Sequence, residues 1–139
     1  FIYLMRNPYT VFESTRSFFT NTIQPLKLEH FSDEEIERNI LTVYKKLHDQ
    51  YQEDKQYIPE GNLIEVKFED FEKDALGMTE KIYSTLQIPG WDDAKAAIAQ
   101  YVESKKKYKK NKYQYAERTR QLVEENWGDV LKLWGYSID

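Results

Sequence analysis

The opening stretch Phe1-Ile2-Tyr3-Leu4-Met5-Arg6-Asn7-Pro8 restricts the fold more than any other part of this 139-residue chain. A short apolar run bounded by polar turn residues reads as a buried strand. It stops at a fixed cation, Arg6, and then offers Asn7 as a helix cap and Pro8 as a first helical residue. A strand that leads directly into a helix N-terminus brings backbone N–H groups and the positive end of the helix dipole to one place, where an anion can sit. Arg6 adds a planar, permanently charged fork that suits phosphate oxygens. Ser14, eight residues after Arg6, falls nearly two turns into the helix, where its hydroxyl can turn toward the same anion. The ordinary alternatives are a structural ion pair for Arg6 and a plain surface position for Ser14.

Periodicity orders the remaining elements. The first helix, from about Pro8 to Asn21, places Val11, Phe12, Thr15, Phe18 and Phe19 on one face, with Ser14 at its edge. Thr20 to Phe31, with Pro25, reads as a loop. Ser32 and Glu35 form a capping box. It opens a long helix repeating Ile36, Ile40, Val43, Tyr44, Leu47 and Tyr51. Pro59-Glu60-Gly61-Asn62 breaks the chain, and Leu63 to Phe68 follows as a second strand. A third helix carries Leu76, Ile82, Tyr83 and Leu86 and stops at Pro89-Gly90. A fourth runs from about Asp92 to Ser104. The last carries Leu122, Val123, Trp127, Val130 and Leu131 and ends at Gly135 as its C-cap, with Trp127 and Trp134 as core residues. Two buried strands joined through helices favour parallel pairing, hence an α/β fold that is predominantly helical.

At this point the chain resembles a known family, the sulfotransferases that use 3′-phosphoadenosine-5′-phosphosulfate (PAPS), in their bacterial form. The family's 3′-phosphate segment runs apolar strand, Arg, Asn or Asp, a Pro or small residue, then a helix with Ser eight positions after the Arg. Phe1 to Phe19 is similar to it, with Arg6 and Ser14 in the two phosphate positions. Leu63-Ile64-Glu65-Val66-Lys67-Phe68-Glu69-Asp70-Phe71 resembles the family's second strand, which usually ends Tyr-Glu-Asp. Phe68 stands where that Tyr lies near the adenine, so the resemblance implies ring stacking without the hydroxyl's hydrogen bond. A core position is the equal alternative. The tail from Tyr108 through Trp127 to Leu133-Trp134-Gly135-Tyr136 is similar to the end of such proteins.

The resemblance implies a P-loop nucleotide kinase-like parallel sheet, of which two strands lie in this chain. It also implies that residues 1–139 are one domain, the C-terminal part of a sulfotransferase domain. The Lys- and Gly-containing 5′-phosphosulfate loop has no counterpart among the five scattered glycines, so the isolated chain is expected to be inactive. With strands of the sheet missing, an apolar edge should be open to self-association or a partner chain.

Charge is unevenly placed. From Lys105 to Arg120 eight cations face Glu117 alone, in a chain whose formal net charge is -4. Such a block is either a solvated loop or an anion-facing flap. In the family it resembles, a basic loop covers the 3′-phosphate, and the resemblance thereby makes Lys109, Lys110 and Lys112 candidate donor contacts. The sequence pI of about 5.3 argues against a general nucleic-acid binder.

Other chemistry is constrained by omission. The chain has no Cys, so it holds no disulfide or thiolate site, and this fits a reducing, cytoplasmic compartment. His30 and His48 have neither ligand spacing for a metal nor an assigned catalytic role. Glu69 and Asp70 read as caps of the next helix and not as an acid/base pair. No apolar run approaches the roughly 20 residues that span a bilayer. The expected function is sulfuryl transfer from PAPS to a hydroxyl or amine acceptor, small molecule or glycan, with no metal and with this chain binding the 3′-phosphate of PAPS or of the product PAP. The alternatives are a P-loop kinase fragment and a non-catalytic helical interaction module.

Overall fold

The structure is a computed structural model, which describes residues 1–26, 28–29, 31–105 and 114–137. In chain order the elements are β1 (Ile2–Met5), α1 (Pro8–Phe18), a π-helical turn (Phe19–Ile23), a 3-10 turn (Gln24–Leu26), α2 (Asp33–Asp54), a 3-10 turn (Lys55–Tyr57), β2 (Ile64–Lys67), α3 (Phe68–Lys73), α4 (Ala75–Thr85), α5 (Trp91–Lys105) and α6 (Glu117–Trp134). Predominantly helical, with two parallel strands in one sheet, the chain has the α/β class expected of it.

Contacts divide the chain into two compact units: Phe1–Arg6 with Lys55–Lys112, and Asn7–Asp54 with Tyr113–Asp139. In the first unit β1 and β2 pair in parallel, with Ile2 opposite Ile64 and Met5 opposite Lys67. The β2 residues alternate: Ile64 and Val66 are buried with Ile82 against Phe71, Met78 and Leu86, while Glu65 is exposed and takes Lys55 at 3.1 Å. On β1, Ile2 and Leu4 are each 54% exposed, so the helical cover over β2 does not extend across β1. That leaves Ile2 and Leu4 as an exposed apolar strand face at the sheet's edge.

The second unit packs α1, α2 and α6 around Phe12, Ile36, Ile40, Val123, Trp127 and Val130. Trp127 is its centre. The indole is fully buried, stands 4.0 Å from the Tyr44 ring, and donates its N–H to the Leu41 carbonyl at 3.0 Å. The α6 backbone leaves helical geometry at Trp127 (φ -125°, ψ 21°), next to Gly128, the residue type that supports a helix least after proline. Gly135 then closes α6 in the left-handed conformation (φ 62°, ψ 42°), as the C-cap reading requires.

Local expectations fare unevenly. Ser32 and Glu35 form the capping box in both directions: Ser32 N–H reaches Glu35 Oε2 at 2.8 Å and Glu35 N–H reaches Ser32 Oγ at 3.3 Å. The first helix, expected to reach about Asn21, ends its α-helical winding at Phe18 and continues as a wider π turn. Residues 20–26, expected as loop, are therefore helical turns; Asn21 Nδ2 bonds Ser17 Oγ at 3.1 Å across the widened turn. The second strand ends at Lys67, one residue earlier than expected, and Phe68 begins α3. Glu69 and Asp70 thus sit inside the first turn of α3, past its N-cap position Lys67. The capping acid is Asp74, whose Oδ1 accepts Gly77 N–H at 2.9 Å and so starts α4. On α2, Val43 and Leu47 are exposed, not core. The buried face is centred on Ile36, Ile40, Leu41 and His48, which leaves those two on one border of the stripe.

Candidate functional site

In the first unit the parallel register carries Arg6 and Phe68 to equivalent places, each one residue past the last paired position of its strand. There the Arg6 guanidinium carbon lies 4.5 Å from the centroid of the Phe68 ring. Both side chains are half-buried. A cation over a ring face is held by the ring's quadrupole without losing its charge. Among the described residues no carboxylate pairs with Arg6. Among the described residues the guanidinium is thus held by a ring face and not by an ion pair. Phe68 lies outside the unit's apolar cluster, with one ring face taken by Arg6.

In the second unit Asn7 caps α1 as its residue type predicts, its Oδ1 accepting Tyr9 N–H at 3.0 Å. Pro8 contributes no N–H. Two early positions of α1 thus offer no free backbone donor, and an anion at this helix end draws on side-chain donors and the helix dipole more than on backbone N–H groups. Ser14 lies half-buried on α1, and among the described residues its hydroxyl has no hydrogen-bond partner.

Its neighbour Glu13 is buried and fixes the helix. Glu13 accepts from Thr119 Oγ1 of α6 and from Arg16 at 2.8 Å; Glu37 of α2 accepts from Arg16 at 3.3 Å and from Arg118 at 2.7 Å. Charge-assisted bonds of this kind hold α1, α2 and α6 to one another through two arginines and two buried carboxylates. The first turn of α1 has a further set of contacts. Tyr9 is buried and donates its hydroxyl to Glu124 at 3.2 Å. Burial first, then the charge and hydrogen bond of Glu124, push its phenol up to about 12, while Arg120 pulls the other way. Thr10 Oγ1 and the Tyr115 hydroxyl stand 2.6 Å apart.

Also in this unit is an apolar cavity of about 380 Å³, walled by Val11 and Thr15 of α1, Phe19, and Ile40, Val43 and Leu47 of α2. Val43 and Leu47, the exposed border of the α2 stripe, form its rim.

The expected contacts are thus brought together in part. Arg6 meets Phe68, Ser14 stands on the anchored helix α1, and Lys109, Lys110 and Lys112 lie outside the described residues. His30 does too. His48 is a core aromatic, its ring near-parallel to Tyr44 at 6.5 Å and edge-on to Trp134 at 6.0 Å. Thr10 and Tyr115 are not singled out by spacing or resemblance; the only sequence signal is that Thr10 precedes Ser14 by four residues, one helical turn. Among the described residues there is no group of three or more His, Cys, Asp or Glu able to hold a metal, and no helix is long and apolar enough to cross a membrane.

The first unit thus holds a parallel strand pair, and Arg6 at the end of β1 is followed at once in sequence by the capped helix α1. Residues 1–93 match the sulfotransferase family, and the chain belongs to that family. Over 136 residues, 98% of this chain, it is 24% identical to the omega-hydroxy-beta-dihydromenaquinone-9 sulfotransferase Stf3 of Mycobacterium bovis (strain ATCC BAA-935 / AF2122/97). The Stf3 of Mycobacterium tuberculosis (strain CDC 1551 / Oshkosh) matches to the same extent. The chain spans about a third of the length of these curated relatives, 35%. No solved structure matches it significantly.

Proposed function

We propose that this chain supplies the donor-binding end of a PAPS-dependent sulfotransferase, with Arg6 and Ser14 holding the 3′-phosphate and Phe68 offering a ring to the adenine. The observation that carries the reading is the state of Arg6, stacked on Phe68 with no carboxylate partner among the described residues. An arginine held by a ring face and left unpaired retains its full capacity to bind a phosphate dianion. The eight-residue spacing to Ser14 supports the second contact. Lys109, Lys110 and Lys112 are further donor contacts in this reading, on the strength of the basic segment alone.

The reaction is transfer of a sulfuryl group. A base takes the acceptor's proton, the acceptor oxygen or nitrogen attacks sulfur in line, and the bond from sulfur to the bridging phosphate oxygen breaks. Cations around that oxygen stabilise the charge it gains, and PAP leaves. Arg6 and Ser14 serve this step by fixing the far end of the donor; neither touches the transferring group, and no residue here is assigned as base. The relatives are named for an omega-hydroxy dihydromenaquinone. We read the acceptor of this protein likewise as a hydroxyl on an apolar body, a reading supported by the apolar cavity beside Val11, Val43 and Leu47.

Calorimetric titration with PAP and with ADP tests the donor reading, because only PAP carries the 3′-phosphate. PAP is expected to bind more tightly. Equal affinities, or preference for ADP, would put the protein among kinase-like nucleotide binders instead.

A further inference from the structure

We propose that Tyr115 is a further specificity-determining residue for the donor's 3′-phosphate, its phenol adding a hydroxyl contact on the face of α1 that carries Ser14. This rests on the reading of α1 as the 3′-phosphate segment. Thr10 and Ser14 are four residues apart in α1 and so lie one above the other on the same face. Tyr115 is fixed on that face by its hydroxyl, 2.6 Å from Thr10 Oγ1, and by its ring, whose centroid lies 5.5 Å from that of Tyr9. Three hydroxyls therefore stand along one line of the helix. Each hydroxyl carries one hydrogen and two lone pairs. The Thr10–Tyr115 pair uses one of its two hydrogens, and a phosphate dianion, which offers acceptors only, draws the other. Either oxygen can be the donor; in the arrangement proposed, Thr10 donates to Tyr115 and the phenol hydrogen is left for the anion.

A cation stands at the same turn. The charge of Arg120 of α6 acts on Tyr9 against the rise of its phenol, as the smallest of the effects there, and Arg120 Nε is buried without a hydrogen-bond partner among the described residues. An unpartnered buried guanidinium nitrogen is costly unless something answers it. A phosphate beside Tyr115 would bring acceptor oxygens to this turn, where Glu124 already accepts from Tyr9. Tyr115 also follows the lysine cluster closely in sequence, three residues after Lys112.

The test uses the protein expressed from its complete reading frame and titrates two nucleotides, PAP and adenosine 5′-phosphate, which differ by the 3′-phosphate. Tyr115→Phe keeps the ring contact with Tyr9 and removes only the hydroxyl. It is expected to lower PAP affinity about five- to tenfold, the scale of one hydrogen bond from a neutral hydroxyl, and to leave adenosine 5′-phosphate unaffected. Thr10→Val, which frees the phenol from its anchor, should move PAP affinity in the same direction by less. A purely structural Tyr115 would weaken both nucleotides alike, and that outcome overturns the proposal. So does unchanged PAP affinity in Tyr115→Phe while Arg6→Ala still loses its preference for PAP; the donor reading then stands without Tyr115. If Arg6→Ala also binds PAP as before, the donor reading falls and this inference falls with it.

Discussion

Arg6 lies over the Phe68 ring at 4.5 Å because both residues follow directly on the last pair of a parallel register, Met5 with Lys67. Parallel pairing sends both chains out of the sheet at the same end, so a residue just past β1 and one just past β2 become neighbours across 62 positions of sequence. A ring partner orders the guanidinium while leaving its hydrogens for a ligand, which an ion pair would not do. In the proposed reading the strand end is thereby preorganised for an anion.

Arg6→Ala, in the protein expressed from its complete reading frame, is expected to weaken PAP binding by about 1.5–3 kcal/mol, the scale of a lost charge-assisted bond. Ser14→Ala should cost less, about 1 kcal/mol, because a neutral hydroxyl is lost. Calorimetry of both variants checks this; an Arg6 variant that binds PAP with unchanged affinity would remove Arg6 from the site.

The lysines from Lys105 to Lys112 call for a chemical footprint. If they face the donor, PAP shields them from acetylation and its affinity falls as salt rises, because exposed charge pairs are screened. Mass spectrometry after brief labelling reads this directly. Equal modification with and without PAP would mark the segment as a solvated loop.

Much of this was legible in the chain, for identifiable reasons. Arg6-Asn7-Pro8 encodes a strand exit, a cap and a first helical residue in three consecutive residue types, and Ser32 with Glu35 encodes a helix start, so local chemistry alone placed both. Gly135 marked its helix end in the same way. What escaped depends on tertiary packing. Val43 and Leu47 fit the helical period as well as Ile36 and Ile40 do, and only the direction from which α1 and α6 approach α2 decides which border is covered. The capping role passed from Glu69 and Asp70 to Asp74 because β2 ends one residue early, a shift no propensity records. The meeting of Thr10 with Tyr115 joins residues 105 positions apart and has no local signature at all.

The carboxylate network makes a stability prediction. Glu37 is 5% exposed and takes both Arg16 and Arg118. Removing one member of a buried pair costs about 3–5 kcal/mol when the partner is left buried. Here the partners' side chains are 37% and 63% exposed and can turn to water. Glu37→Ala is therefore expected to cost less, about 1–3 kcal/mol in urea unfolding. A loss above that range would show that the two arginines cannot relax to solvent.

Tyr9 gives the protein a dependence on alkaline pH. Its phenol is raised to about 12 in the folded chain, against an ordinary 10. The folded state holds this proton more tightly, so the contribution is fully present below pH 10 and is lost as pH rises toward 12. Between those values wild type should lose about 1–2 kcal/mol more stability than Tyr9→Phe, which lacks this one phenol. Urea midpoints of the two proteins at pH 9 and about pH 11 measure the difference; parallel losses would show that Tyr9 is not held by Glu124 in solution.

The 139-residue chain on its own should not turn over PAPS. Acceleration of sulfuryl transfer requires donors placed around the oxygen that gains charge as sulfur departs. Arg6 and Ser14, in the role proposed for them, grip the opposite end of the donor, where charge does not change during the reaction. A group that binds ground state and transition state equally raises affinity but not the rate of the chemical step. Weak PAP binding without transfer is thus the expected behaviour of the chain alone, while the protein from the complete reading frame binds and transfers. Labelled PAPS with a panel of apolar and polar alcohols, run on both side by side, decides the matter. Transfer by the short chain at a comparable rate would mean that residues within these 139 supply the charge stabilisation and the base, and that the donor sits the other way round.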